Sequence, residues 1–488
     1  MIGKVVSREL LLAAGACPTG TDGAGVMTFD VSSPEGERLA REIGAVLGGR
    51  VVTRRCDADM VTASVERFAN AHLSGRTAPA ESAGPSPVSE SDARVIASQP
   101  PVVRFVNLIV RDGVANRASD IHLDATEQGL SVRMRIDGVL TPGPAAADGI
   151  HDAVLSRIKL LADLDIAERR RPQDGRIRMT LGETSVDLRV STISSLHGES
   201  AVIRILDHSS DQILLSDLGM PDVIFQQFAE RVARPHGLLL VTGPTGSGKT
   251  TTLYAALAQR ATGLEKVISV EDPIEIQVQG VTQVPLHREV GVSFATALRA
   301  LLRHDPDVLM IGELRDPETA AVAVQAAMTG HLVLATLHTN DASGAVARLM
   351  DLEVPEYLLA DTLAGVLAQR LVRRLCDACA QPTQEVQPLL DSVRDRLPSE
   401  DPALDTAAPR VPVGCNQCRN SGFRGRIGIF EFLALSRDDR AHASGKVLQR
   451  MRDSRTHARS VESLESDGVR KVLAGLTTLG EVHRAVAA

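Results

Sequence analysis

The chain has no tryptophan, only two tyrosines, and an aromatic content of 2% over 488 residues. Ring faces on which single-stranded bases could stack are therefore scarce. It also lacks a positive excess: 53 Lys and Arg stand against 61 Asp and Glu, a formal net charge of −8. That balance argues against a mainly electrostatic polynucleotide binder. No apolar run reaches the roughly 18 residues needed to cross a bilayer. An export signal is weakly imitated near the amino terminus, where Lys4 and Arg8 precede Leu10-Leu11-Leu12-Ala13-Ala14-Gly15-Ala16-Cys17. The apolar stretch is short for such a signal, and acidic Glu9 sits directly before it. Residues 7–17 read as a short amphipathic helix, and the chain reads as cytoplasmic.

What is present is the composition of a globular protein, 43% hydrophobic and 23% charged, with too many residues for one core. Residues 1–73 combine helical stretches at 33–47 and 60–70 with strand-like Val26–Val31 and Val51–Thr53, forming a small α/β module. Residues 74–101, rich in Ser, Ala, Pro, Gly and Glu, read as a flexible linker. An α+β domain is placed at 102–208, with helices over 102–116 and 151–166 and strands in 121–136 and 176–206. From 217 to 374, apolar strands (Leu238–Val241, Val267–Val270, Val308–Ile311, Leu332–Leu337) alternate with helices, which favours a parallel, doubly wound sheet. A cysteine-bearing insert follows at 375–420 and a helical subdomain at 421–488.

The strand Leu238–Val241 runs into Gly243-Pro244-Thr245-Gly246-Ser247-Gly248-Lys249-Thr250. This is G-x-x-x-x-G-K-T between a buried strand and a helix. The glycines let backbone N–H groups curl around a phosphate chain, Lys249 supplies a point charge, and the Thr250 hydroxyl suits Mg2+. The pattern identifies a nucleoside triphosphate site. Downstream, Val308-Leu309-Met310-Ile311-Gly312-Glu313 is an apolar strand ending in an acid, the position of a Walker-B group, and Glu313 is the first choice for it. Glu271-Asp272-Pro273-Ile274-Glu275 ends another core strand, where a nucleotide crevice belongs. His331 and His338 bracket Leu332–Leu337 at an odd spacing, so a straight strand points them to opposite faces. His338, at the carboxyl end, is the better candidate to reach nucleotide.

Four of the six cysteines form Cys376-x-x-Cys379 and Cys415-x-x-Cys418. Two such pairs in a cytosolic chain suit a tetrahedral structural Zn2+ site with no open coordination position. The 35-residue spacer between them, rich in Pro and Asp, is read as a loop. Cys17 and Cys56 read as small buried apolar residues.

Arg117-Ala118-Ser119-Asp120-Ile121-His122-Leu123, Arg171-Pro172-Gln173-Asp174-Gly175-Arg176, Asp187–Thr192, the phosphate loop, Val270–Glu275, Gly312–Asp316 and Gly330–Asn340 occur in that order. As an ordered set, spanning about 100 to 485, they resemble the secretion ATPases of the type II secretion and type IV pilus superfamily. Gly422–Gly428 continues the likeness. Arg234-Pro235-His236-Gly237, Thr250-Thr251-Thr252-Leu253-Tyr254 and Gly365–Leu371 resemble the type II secretion branch more than the pilus-extension branch, which is the alternative. The resemblance implies a RecA-like P-loop ATPase core preceded by a PAS-like domain, assembled as a homo-hexamer with ATP and Mg2+. It implies that Glu275 orients the attacking water, Glu313 is the Walker-B glutamate and His338 senses the γ-phosphate. Arg176, Arg189, Arg299 and Arg303 are the implied sources of positive charge, with the contact-making arginine left open. It further implies pseudopilus assembly and protein export as the work done. The implied partners are an inner-membrane protein that docks the 1–73 module and an integral membrane platform protein, with no nucleic acid, at a peripheral inner-membrane location.

Overall fold

A computed structural model describes residues 8–21, 26–47, 49–72, 97–181, 184–206, 214–287, 290–434 and 463–487. Of the linker expected at 74–101, residues 74–96 lie outside them. The chain divides into two compact units, Met1–Ser209 and Ser210–Ala488.

The first unit begins with α1 (Arg8–Ala14), β1 (Ala16–Thr21), β2 (Met27–Val31), α2 (Pro34–Val46), β3 (Val51–Arg55) and α3 (Ala58–His72). The helix expected over 7–17 stops at Ala14 because Gly15, at φ 65°, turns the backbone, and Ala16 and Cys17 start a strand. The helix α2 starts where Ser33 accepts from the Gly36 N–H, with Pro34 fixing the first turn. Beyond the linker come α4 (Pro100–Ala115), β4 (Ala118–Thr126), β5 (Gly129–Ile136), β6 (Val139–Pro142), α5 (His151–Leu161), β7 (Gln173–Leu181), β8 (Thr184–Ser195) and β9 (Gly198–Leu206). The strands form an antiparallel sheet in the order β6-β5-β4-β9-β8-β7. The helix expected to reach 166 ends at Leu161, since Asp163 adopts a left-handed conformation. Phe29, Ile43, Phe105, Ile109 and Ile121 are all fully buried in a single core. The parts before and after the linker therefore share apolar packing, reinforced by Arg111 Nη1 donating to Glu42 Oε2 at 2.7 Å.

The second unit comprises α6 (Asp222–Val232), β10 (Gly237–Thr242), α7 (Lys249–Arg260), β11 (Val267–Glu271), β12 (Thr282–Pro285), α8 (Phe294–Leu301) and β13 (Val308–Ile311). These are followed by α9 (Pro317–Met328), β14 (Leu332–Leu337), α10 (Ala342–Asp351), α11 (Glu356–Thr362) and β15 (Leu363–Leu375). Its sheet runs β12-β11-β13-β14-β10-β15-β18, with β18 spanning Phe423–Ala434. Every pair is parallel except β15 with β18. Parallel strands covered on both faces need apolar residues at every position, and β10, β13 and β14 are buried throughout. Even-numbered β10 residues Leu238 and Leu240 pack with α8–α10, whereas Leu239 and Val241 pack with α6 and α7. This is the doubly wound arrangement.

Residues 421–488 are not simply helical. Ile427, Ile429, Phe430 and Phe432 make β18 an apolar strand that closes the sheet edge, and only α14 (Leu464–Leu473) and α15 (Leu479–Ala487) follow it among the described residues. The spacer between the cysteine pairs also differs from a bare loop. It contains a two-residue ladder, β16 (Gln381–Pro382) with β17 (Arg410–Val411), plus α12 (Val386–Val393) and α13 (Pro402–Asp405). Val393 and Leu397 there are buried against Val469 and Leu473 of α14, which supplies the apolar partner that a free loop would lack.

Phe430 anchors this closure. It is fully buried, its N–H donates to Asp467 Oδ2 at 2.8 Å, and Lys471 Nζ lies 5.0 Å from its ring centroid. Phe430→Ala is expected to destabilise the second unit by about 3–5 kcal/mol, read as a lower denaturant midpoint for its unfolding transition. An unchanged midpoint would remove β18 from the core of that unit.

Candidate active site

The phosphate loop leaves the carboxyl end of β10, which lies between β14 and β15. Two of its glycines, Gly243 and Gly248, are required by close packing against β15. A Cβ on Gly243 (φ 148°) would meet the Gln369 carbonyl oxygen at 2.4 Å, and one on Gly248 (φ 87°) would meet Gln369 Nε2 at 2.7 Å. Thr252 Oγ1 donates to Gln369 Oε1 at 2.7 Å, fixing the first turn of α7 to the same strand. At the start of the loop, Thr242 Oγ1 lies 2.7 Å from Thr339 Oγ1 and accepts the Thr339 N–H at 3.0 Å. The loop is thus held against the residues that follow β14. Pro244, Thr245, Gly246 and Ser247 form its crest, with Ser247 buried and Thr245, Gly246 and Thr250 exposed.

Lys249 is only 8% exposed. Its Nζ donates to the carbonyls of Gly243 at 2.8 Å and Pro244 at 2.9 Å, and lies 3.5 Å from His338 Nδ1. Burial lowers its pKa to about 8, with Glu313 opposing that shift. On the other side of the imidazole, His338 Nε2 is 3.6 Å from Glu313 Oε2. Burial and the Lys249 charge lower the His338 pKa, which favours the neutral ring. Glu313 is ion-paired with Arg315 through its other oxygen. Lys249, His338, Glu313 and Arg315 are therefore neighbours at the carboxyl ends of β10, β13 and β14. His331 sits at the opposite end of β14, with Nδ1 3.0 Å from the Ala326 carbonyl oxygen, where it fastens the turn after α9.

Glu271 and Glu275 differ in setting. Glu271 is buried at the end of β11 and accepts from Tyr254, Ser269 and Gln283, whereas Glu275 is half-buried and its N–H donates to the Tyr254 hydroxyl at 3.1 Å. Arg299 is engaged by Glu318 at 2.7 Å and Arg303 donates to the Arg299 carbonyl at 2.8 Å. Among the described residues neither bonds to the phosphate loop. In the first unit Arg176 stands directly opposite Arg189, and Arg189 opposite Arg204. Like charges so placed weaken a sheet unless an anion relieves them. Asp120 does so at one end of the row, 3.1 Å from Arg204 and 4.0 Å from Arg135.

Arg204, Arg315, Gln369 and Tyr254 were not singled out individually in the sequence. Arg204 becomes visible once the β8–β9 register is known. Arg315 carries a local signal, a cation two residues after the strand-end acid. Gln369 and Tyr254 act through partners more than 15 residues away, which spacing does not reveal.

The four cysteines Cys376, Cys379, Cys415 and Cys418 bring their sulfurs within 4.8 Å of one another. The closest pairs are 3.7 Å (Cys379–Cys418), 3.8 Å (Cys415–Cys418) and 3.9 Å (Cys376–Cys415). A tetrahedron with Zn–S bonds of 2.3 Å has edges of about 3.8 Å, so the donor set fits Zn2+. Burial pushes the Cys418 thiol up, but N–H groups of Cys415 and Gly422 at 3.2 Å outweigh it, with a net pKa of about 7. Cys17 is buried as expected, whereas Cys56 is partly exposed.

The family described as "Type II/IV secretion system protein" matches residues 96–484. The chain is similar to the putative type II secretion system protein E of Escherichia coli strain K12, with 45% identity over 391 residues, 80% of this chain and 78% of that one. It is 46% identical to the type II secretion system protein E of Pectobacterium carotovorum over 79% of this chain and 75% of the relative. The type II secretion system ATPase E of Vibrio cholerae serotype O1 is 43% identical over 81% and 76%. Among solved structures, the pilus retraction motor PilT with bound ADP aligns at a TM-score of 0.52 and 25% identity, covering 77% of this chain and 95% of that one. The ATPase DotB of Legionella pneumophila aligns at 0.58 and 19% identity, over 78% and 95%, a likeness of fold.

The lowered Lys249 pKa carries a pH expectation. Below about 7.5 the ammonium is charged and affinity for a nucleoside triphosphate is level. Above about 8, binding must take up a proton, so affinity falls as pH rises. Calorimetric titration in two buffers of different ionisation enthalpy checks this, and affinity constant from pH 7 to 9 would contradict it. For the tetracysteine cluster, Cys376→Ser is expected to lower the bound zinc of the purified protein and destabilise the second unit. Unchanged metal content by elemental analysis would refute the site.

Proposed function

Since the chain belongs to the type II/IV secretion system protein family, we propose that it is an ATPase whose hydrolysis of ATP powers protein export by a type II secretion system. The observation that carries this reading is the neighbourhood of Lys249, His338 and Glu313 at the carboxyl ends of three adjacent strands. The names of the relatives favour type II secretion over pilus extension.

Phosphoryl transfer passes through a loose, highly charged transition state, so the protein's task is positioning and charge neutralisation. The backbone N–H groups of the loop Gly243–Thr250, other than Pro244, which has none, cradle the phosphates, and the Lys249 ammonium turns from the loop carbonyls to the outer phosphates. The Thr250 hydroxyl and the Glu313 carboxylate are hard oxygen donors that would hold Mg2+, and the ion would supply charge neutralisation at the phosphates. Glu275 orients the attacking water. His338 reports the γ-phosphate, and Arg176, Arg189, Arg299 and Arg303 supply the cationic contacts in the assembled enzyme. Four thiolates at Cys376, Cys379, Cys415 and Cys418 hold a structural Zn2+.

The working form is a homo-hexamer, peripheral on the inner membrane. The amino-terminal module docks on a membrane protein of the secretion system, and an integral platform protein receives the motion. No described helix is long and apolar enough to cross a membrane, so recruitment through a partner is the natural route. Polynucleotide has no part in the cycle.

Steady-state hydrolysis across the concentration range of assembly tests the reading. Turnover is expected to rise with assembly, ignore added DNA or RNA, and fall by orders of magnitude in Glu313→Gln while nucleotide binding persists. Stimulation by polynucleotide, or near-normal turnover of the variant, would overturn it.

A further inference from the structure

The helix that follows the phosphate loop also carries one of the chain's two tyrosines. Tyr254 is 7% exposed, and its hydroxyl donates to Glu271 Oε2 at 2.5 Å while accepting the Glu275 N–H at 3.1 Å. Glu271 is 3% exposed and also accepts from Ser269 Oγ at 2.6 Å and Gln283 Nε2 at 3.1 Å. A buried carboxylate without donors would be costly, and this one has three. Gln283 extends the network, accepting the Val278 N–H at 2.8 Å and donating to the Ile276 carbonyl at 3.0 Å. The segment between β11 and β12 is thus pinned at residues 275, 276 and 278 by side chains that meet at Glu271.

The direction of these bonds is fixed. Tyr254 has one proton, and burial together with the Glu271 charge raises its pKa, so the proton stays on the hydroxyl and is given to the carboxylate. The oxygen is left as an acceptor for Glu275.

We propose that Tyr254 is a positioning residue for hydrolysis: its hydroxyl ties the Glu275 backbone to the phosphate-loop helix, so that the water-orienting carboxylate keeps a fixed distance from the bound phosphates. The inference rests on the reading of Glu275 given above. Displacements near 1 Å at a reacting group can cost about 100-fold in rate. Phenylalanine keeps the ring and its packing, and removes the tie together with one of the three donors to Glu271.

The test is a double-mutant cycle read by single-turnover hydrolysis and by fluorescent-nucleotide binding. Tyr254→Phe is expected to lower kcat by about 10–100-fold, with nucleotide affinity within about twofold of wild type. In a Glu275→Gln background it should add little further loss, because the residue it positions is already disabled. A loss of equal size in both backgrounds, or an effect confined to affinity, would mean a structural role only and overturn the proposal. If Glu275→Gln is slow but Tyr254→Phe is not, the tie fails and the reading of Glu275 stands. If Glu275→Gln turns over normally, that reading falls and the inference with it. Should Tyr254→Phe prove unstable, Glu271→Gln supplies the second variant, since it withdraws the charged acceptor while preserving shape. The same selective loss of kcat is expected there, and unchanged kcat would again overturn the proposal.

Discussion

The Lys249 ammonium is enclosed by protein, and a charge in that position is tolerable only with oxygen partners at hand. Two carbonyls of its own loop meet that need, and a third group, the neutral imidazole of His338, stands 3.5 Å away. Much of the surrounding architecture follows from keeping these atoms in place. The Thr242–Thr339 bond holds the loop beside β14, and Gln369 supports both Gly243 and Gly248 from β15. The buried strands leave their carboxyl ends level, so residues far apart in sequence reach one small volume.

What the sequence revealed of this arrangement was the part encoded locally. A phosphate loop, a strand ending in Glu313 and a strand ending in His338 are each written within eight or nine consecutive residues. Parallel strands covered on both sides read as continuous apolar runs, which is why β10, β11, β13 and β14 could be bounded to within one residue. The edge strand β18 escaped because its partner β15 lies some fifty residues upstream and its own first half, Phe423–Gly428, is rich in Gly and Arg. The helices of the cysteine spacer escaped for a similar reason, since part of the apolar cluster that buries their residues comes from α14, some seventy residues downstream. For the arginines, sequence offered only four candidates. The sheet register adds that Arg176 and Arg189 share a row with Arg204, and that Arg299 is engaged by Glu318.

The carboxyl-terminal region is bound into the same scheme. The strand β15, which backs the phosphate loop through Gln369, runs without interruption to Leu375, next to the first cysteine of the cluster. There the Leu375 N–H donates to the Leu476 carbonyl at 2.8 Å, and Arg373 is paired with Glu481 of α15 at 2.7 Å. Arg373 also stacks over Phe423, its guanidinium 4.2 Å from the ring centroid. The tetracysteine cluster at one end of β15 and a glutamine under the phosphate loop near its middle brace that strand at two points. On the proposed reading, loss of Zn2+ from these cysteines would be felt at the loop through the backbone of β15.

The contacts around His338 are looser by comparison. Distances of 3.5 and 3.6 Å on its two sides exceed those of good hydrogen bonds, and lowered basicity keeps the ring uncharged between a cation and an anion. A neutral imidazole presents an acceptor to one side and a donor to the other. On the proposed reading, a γ-phosphate that draws Lys249 away weakens one of the causes opposing protonation of His338, leaving burial and Arg315, while Glu313 still favours the protonated ring. Rigid ties at Thr242, Gln369 and Tyr254 thus surround one adjustable link. Such a division suits a motor, because a single phosphate can change only what has not already been fastened.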